Sequence, residues 1–381
     1  MIKVLQVVVA PNGFNTKLSV TGPERRAANL AARWIQYDIE IVICYPSRGN
    51  MNEYFHAANL PVIDFEIGSK FNMAAVLKLR DIIRKYDVHL VHAQGPASLD
   101  LIVALACRLA GVRAVISRPV MIEDQVTYSP LRKFIYATID RLITLKLVNG
   151  LIAVSRAGQL HMQRVCKVRP ERIRLIHNGV NLNRFVQRQS SSADGKAPNH
   201  QVTLGMVAQL FPPKGWPDFI EVIDRLVQRN WHVKAMIVGE GQLRAELEAD
   251  VIKRGLQDVI TFTGFQDDVA SLYQQMDIFL FTTHREGLSV AVIEGMASGV
   301  PFVATEVGGI REQIEEGVNG FVVPARDIEK LVEGCERLIG DPALRRQMGQ
   351  RSHEMALERF SDQRMLEEHV EYYRALAAVG H

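Results

Sequence analysis

The sequence predicts an α/β protein made of two Rossmann-like, doubly wound domains. Short apolar runs alternate with helical stretches along the chain, the pattern of parallel strands covered by helices. A polar stretch interrupts that alternation near the middle, and the alternation then restarts. The chain has 381 residues, enough for two domains that each bury a core.

Strands of the first domain are expected at 4–9, 40–45, 88–93, 114–117, 151–154 and 173–177, each a short run rich in Val, Ile or Leu. Helical patterns lie between them at 23–36, 73–85 and 98–110. Residues Gln187–Gln201, QRQSSSADGKAPNHQ, have the Ser, Gly and Pro content of a linker. Strands resume at 202–208, 233–238, 259–263, 278–281, 301–304 and 320–323. The expected division is therefore 1–188 and 189–361, with ligands outside the carboxyl ends of the strands, where both domains face a central cleft.

Hydrophobic residues make up 48% of the chain, a globular composition, and no apolar run has the length of a membrane span. The N-terminus starts directly on a strand pattern, so no signal peptide is expected. Cys44, Cys107, Cys166 and Cys335 are scattered and form no metal-ligand or redox spacing, which points to a reduced, cytoplasmic compartment. The charge is uneven. Residues 1–189 carry 26 Lys and Arg against 13 Asp and Glu, whereas residues 190–381 carry 19 against 29. An anionic acceptor or a membrane surface fits the basic half. No recognition motif accompanies it that would make nucleic acid the partner. Residues Leu131–Leu147, LRKFIYATIDRLITLKL, form a basic amphipathic stretch suited either to a core edge or to peripheral membrane contact.

Residues Glu286–Gly309, EGLSVAVIEGMASGVPFVATEVGG, carry the densest chemistry. Glu286 lies in a loop after the strand 278–281. Glu294 falls within a helical pattern that closes at Gly299, before Pro301. Gly287 and Ser289 are expected to leave backbone N–H groups free at that helix start, a cradle for an anion. Two carboxylates that accept from hydroxyls beside such a cradle suit a sugar attached to a diphosphate. Lys214, in the turn after 202–208, would place a point charge on that diphosphate.

This segment resembles the signature of the family 4 glycosyltransferases, retaining enzymes of the GT-B fold. Other pieces match in order: Thr21-Gly22-Pro23-Glu24-Arg25, Asn178-Gly179-Val180 through Phe185, Lys214-Gly215, and Gly239-Glu240-Gly241. The resemblance covers nearly the whole chain. It implies that a last helix, within 362–381, crosses back onto the first domain.

It further implies a nucleotide-sugar donor held by Gly22, Gln209, Gly239, Phe265, Glu286, Gly287, Leu288, Ser289 and Glu294, with Glu294 on the ribose. Lys214, Glu286 and Arg118 would carry the chemistry. Asn12, Gly13, Arg25 and Arg118 would meet a saccharide or lipid-linked saccharide acceptor. The donor expected is a UDP-sugar, then GDP-mannose, and neither a cofactor nor a catalytic metal is expected. Two positions depart from the family pattern: Gln209 stands where relatives carry arginine, and Arg118 where many carry histidine. Those departures keep open a catalytically silent saccharide-binding protein. A GT-B sugar-nucleotide epimerase is the other alternative. A dehydrogenase is disfavoured, because no glycine fingerprint follows the first strand and Arg244 stands where the third glycine after Gly239 and Gly241 would be. His92 and His177 are expected as packed strand-end histidines.

Overall fold

The computed structural model describes residues 1–8, 27, 30–46, 55–56, 59–66, 72–94, 97–118, 129–139, 141, 145–185, 201–266 and 268–378. The chain divides into two compact units, Met1–His177 with Met365–His381, and Asn178–Arg364.

The first unit is built on a seven-stranded parallel sheet of order β3-β2-β1-β4-β5-β6-β7. Its strands are β1 (Ile2–Val8), β2 (Ile39–Tyr45), β3 (Val62–Asp64), β4 (Leu90–Gln94), β5 (Arg113–Arg118), β6 (Gly150–Ala153) and β7 (Ile173–Leu175). β3 is the strand that hydrophobic patterning does not find. It has three residues, lies at the sheet edge and is only half-buried, too short for any period to register.

Helix α1 (Met73–Lys85) begins where the Asn72 side chain accepts a hydrogen bond from the Ala75 N–H, and it buries Ala75, Val76, Leu79, Ile82 and Ile83. It packs with α2 (Ala97–Ala110) over one sheet face. The described end of the stretch expected as helix at 23–36 is a 3₁₀ helix, Ala31–Tyr37, closed by Asp38 at φ 59°.

The opposite face is sealed by the chain's last helix, Asp362–Ala378. Its Tyr373 stacks on Trp34 with ring centroids 5.5 Å apart. His92 is fully buried there, 2.7 Å from Ser117 Oγ and 2.5 Å from the Tyr373 hydroxyl, so it is a packed, hydrogen-bonded core histidine. Met365, Leu366, Val370 and Tyr373 are all buried, and each contributes about 1.5–3 kcal/mol of gross hydrophobic stabilisation.

The second unit holds a six-stranded parallel sheet of order β10-β9-β8-β11-β12-β13. Its strands are β8 (Val202–Val207), β9 (Val233–Val238), β10 (Ile260–Gly264), β11 (Ile278–Phe281), β12 (Phe302–Thr305) and β13 (Gly320–Val323). Both sheets reverse their order once, between β1 and β4 and between β8 and β11.

The packing changes before the composition does. Asn178–Phe185 belongs to the second unit, although the serine-rich stretch begins later. Val180 donates to Phe360 O (3.0 Å) and accepts from Asp362 N (2.9 Å), and Phe185 packs against Tyr273. The expected linker lies outside the described residues except for Gln201.

Candidate functional site

Where the strand order of an open parallel sheet reverses, the two neighbouring crossovers leave on opposite faces and open a crevice at the carboxyl ends. In the second unit that point lies between β8 and β11. The turn after β8 carries Lys214, and the loop after β11 carries Glu286.

The two segments are stitched together by short polar links. Thr282 Oγ1 donates to Gly215 O (2.8 Å), and Thr283 Oγ1 (3.1 Å) and the His284 N–H (2.9 Å) both donate to Pro213 O. His284 Nε2 lies 2.7 Å from Asp218 Oδ2 on helix α3 (Trp216–Gln228). Gly215 has φ 71°, and a Cβ there would stand 1.9 Å from Thr282 O, so only glycine permits this approach. Across the seam, Lys214 Nζ donates to Glu286 Oε2 at 2.7 Å, with side chains 25% and 15% exposed.

The Glu286 loop is fixed from behind. Gly309 N donates to Gly287 O (2.8 Å), and a Cβ on Gly308 would come within 1.8 Å of Glu286 O. Asn178 Nδ2 donates to Leu288 O (2.8 Å). Helix α4 (Val290–Ala297) follows, with Ser289 Oγ capping the Val292 N–H.

The expectation that Gly287 and Ser289 leave their N–H groups free needs correction. The Ser289 N–H donates to Gln313 Oε1 (3.1 Å), the Gln313 amide returns a bond to Ser289 O (2.7 Å), and the Gly287 N–H donates to Glu286 Oε1 (3.1 Å). Gln313 is fully buried and carries no sequence signal of this role. Among the described residues, the N–H groups of Val290 and Ala291 in the first turn of α4 donate to no protein group. Those two, at the positive end of the helix, are the donors that an anion would meet.

Glu294 lies one to two turns down α4, half-buried, with Oε2 3.0 Å from the Tyr273 hydroxyl, which also lies 2.9 Å from Ala291 O. Tyr273, absent from the expected set, therefore orients this carboxylate. Gln209 follows β8, and its carbonyl accepts from Trp216 Nε1 (2.9 Å). Gly239 follows β9 at φ 145°, with its N–H on Gly264 O (3.0 Å). Phe265 follows β10 and is half-buried. Gln209, Lys214, Gly239, Phe265, Glu286, Leu288 and Glu294 are thus all carried by elements at or beyond the carboxyl edge of one sheet.

Arg118 has a different setting from the one expected. It ends β5 in the first unit, is 5% exposed and forms an ion pair with Asp100 of α2 at 2.8 Å. Asn12, Gly13, Gly22 and Arg25 lie outside the described residues.

All four cysteines are buried and none is in a disulfide. Burial pushes the Cys44 thiol up to about 12, only partly opposed by nearby Lys78, and raises Cys107 and Cys335 further. Such thiols hold almost no thiolate at neutral pH. Cys44, Cys107 and Cys335 should therefore stay unreactive toward an aromatic disulfide reagent at pH 8 in the native protein and react at once in denaturant. Rapid native labelling of any of the three would contradict this. Among the described residues no cluster of His, Cys, Asp and Glu has metal-holding geometry, and no helix is long and apolar enough to cross a membrane.

Comparison with known proteins follows the same two halves. Residues 20–184 match the model described as Glycosyltransferase Family 4, and residues 187–355 match Glycosyl transferases group 1. The putative glycosyltransferase EpsD of Bacillus subtilis (strain 168) is 28% identical, over 80% of this chain and 81% of its own. The Escherichia coli UDP-Gal:alpha-D-GlcNAc-diphosphoundecaprenol alpha-1,3-galactosyltransferase is 23% identical, over 81% and 82%. Among solved structures, Anabaena HepE in complex with UDP-glucose superposes with a TM-score of 0.81 at 20% identity, covering 98% of this chain and 100% of that one.

Proposed function

Since the chain belongs to the family 4 glycosyltransferases and has their GT-B fold, we propose that it moves a hexose from a UDP-sugar to a lipid-linked saccharide during synthesis of a cell-surface polysaccharide. The observation that carries this reading is the Lys214–Glu286 pair at the β8/β11 switch point, beside the open N–H groups of α4. A lysine, a tethered carboxylate and the open first turn of α4 are the groups to which a sugar diphosphate would bind.

The donor diphosphate docks on the first turn of α4 and on Lys214. Glu294, oriented by Tyr273, accepts from the ribose hydroxyls, and Glu286 accepts from the sugar. The bond between the anomeric carbon and the phosphate oxygen breaks as the acceptor oxygen bonds to that carbon from the same face. The acceptor proton passes to the departing phosphate. Lys214 offsets the charge that collects on the leaving group.

Retention follows from this front-face route. Glu286 is poorly placed as a covalent nucleophile, because Lys214 engages one of its oxygens and the Gly287 N–H the other. NMR of the product linkage tests it, and an inverted anomeric configuration would overturn the route.

UDP is favoured over GDP because the E. coli relative is named for UDP-Gal and HepE is bound to UDP-glucose. A diphosphate-linked lipid acceptor agrees with the E. coli relative's name and with the excess of cations in residues 1–189. On this reading the enzyme works from the cytoplasmic side of the membrane.

A thermal-shift panel of UDP, GDP, ADP, TDP and their sugar conjugates tests the donor, because a ligand that binds only the folded state raises its stability. A shift with UDP compounds alone supports the assignment, and a shift with GDP-mannose alone replaces it. Silence throughout would favour a saccharide-binding protein without transfer. Glu294→Ala should weaken UDP binding roughly 10-fold or more, the loss of hydrogen bonds to a charged group. Unchanged affinity by calorimetry would remove Glu294 from the ribose site.

A further inference from the structure

His284 stands two positions before Glu286 and is anchored on both sides of Lys214. Its N–H donates to Pro213 O (2.9 Å), just before the lysine, and its ring Nε2 lies 2.7 Å from Asp218 Oδ2, just after it. A carboxylate only accepts, so Nε2 carries the proton and donates. Among the described residues the ring has no other polar partner, and the two side chains are 23% and 18% exposed.

The segment between these anchors is short and pliable. It contains Lys214 and Gly215, and Gly215 turns the chain into α3 at φ 71°, with the freedom of a residue that has no Cβ. Thr282 and Thr283 bond only to the carbonyls of Gly215 and Pro213. The His284 ring is what ties the Glu286 loop to a side chain of α3 itself. Asp218 alone needs no such partner, because an acid in the first turn of a helix is favoured by the dipole. That does not account for a half-buried imidazole directed at it from a segment 66 positions away.

We propose that His284, held by Asp218, is a positioning residue that keeps Lys214 and Glu286 in register across the seam. It acts through that pair and not on the substrate. Its effect on rate rests on the transfer reading, whereas its effect on the pair does not. Without the ring bond, the Lys214–Gly215 turn can rotate and the ammonium can swing away from Glu286. A misplacement of about 1 Å costs on the order of 10²-fold in rate, even when the substrate still binds.

The test compares His284→Ala, His284→Gln and Asp218→Asn with the native chain, by UDP release and by the rate at which acetic anhydride modifies Lys214, read by peptide mass mapping without donor present. His284→Ala should lower kcat by about 10–100-fold, with the donor KM within about threefold of native. His284→Gln keeps an N–H donor and Asp218→Asn keeps an acceptor oxygen, so both should recover most of the rate. In a Lys214→Ala background, His284→Ala should cost almost nothing more, because the residue it positions is already gone. Lys214 should be acetylated several-fold faster in His284→Ala and at the native rate in His284→Gln. Native kcat in His284→Ala, no rescue by glutamine, a full additional loss in the Lys214→Ala background, or unchanged acetylation of Lys214 would each overturn the proposal. If the native chain releases no UDP from any sugar conjugate, the transfer reading fails, and the acetylation rates still decide whether His284 holds the lysine.

Discussion

Replacing Lys214 with alanine should lower kcat by about 10²–10³-fold, the usual cost of removing one donor aimed at a developing negative charge, while donor affinity should fall by much less. Without a donor, Lys214 and Glu286 neutralise each other at 2.7 Å. A bound diphosphate adds anionic oxygens beside the lysine, and bond cleavage adds further charge to the leaving group. On the proposed mechanism the lysine would gain most in the transition state, so the loss should appear in kcat. Arginine is a poor replacement, because its planar fork does not reproduce a compact ammonium.

The melting temperature should barely move in Lys214→Ala, because partly exposed ion pairs stabilise little. A double-mutant cycle with Glu286→Gln isolates the pair. If Glu286 mainly holds Lys214 in place, the double variant is scarcely slower than either single one. Equal turnover of Lys214→Ala and native protein, measured by UDP release, would remove the lysine from catalysis and with it the observation on which the functional reading stands.

Much of the second domain is legible in the sequence because its strands are buried on both faces and therefore read as unbroken apolar runs. Ile278–Phe281 is such a run, and its bounds agree with the sequence reading. The loop chemistry was legible as residue types but not as partners. Lys214 and Glu286 are 72 positions apart, and only the reversal of strand order between β8 and β11 brings them together. The Gln313 clamp on Ser289 is less visible still, since a buried glutamine that satisfies a backbone N–H and C=O has no local pattern. Because of it, and because Glu286 takes the Gly287 N–H, the open N–H groups among the described residues are those of Val290 and Ala291 rather than Gly287 and Ser289. Composition likewise placed the domain boundary in the serine-rich stretch, whereas the contacts of Asn178 and Val180 set it earlier.

Asp100→Ala should destabilise the first domain by about 3–5 kcal/mol, the usual effect of removing one member of a buried ion pair. Arg118 read in isolation invites a functional role, because it ends a strand at the carboxyl edge where ligands bind. The structure gives its charge to Asp100, with side chains only 4% and 1% exposed. At that depth water solvates either charge poorly, so removing one member of the pair is costly. Arg118→Met alone should be costly for the converse reason, since it removes the guanidinium that pairs with the buried Asp100 carboxylate. The paired replacement Asp100→Leu/Arg118→Met should recover most of the loss, because similar-sized apolar side chains remove both desolvation penalties together. Chemical denaturation of the four proteins reads the cycle directly. Recovery of stability with UDP release intact would make the pair a structural strut of the first domain. Recovery of stability with transfer abolished would return Arg118 to the acceptor side of the reaction, and a stable Asp100→Ala would show that the ion pair is not what holds the carboxyl end of β5.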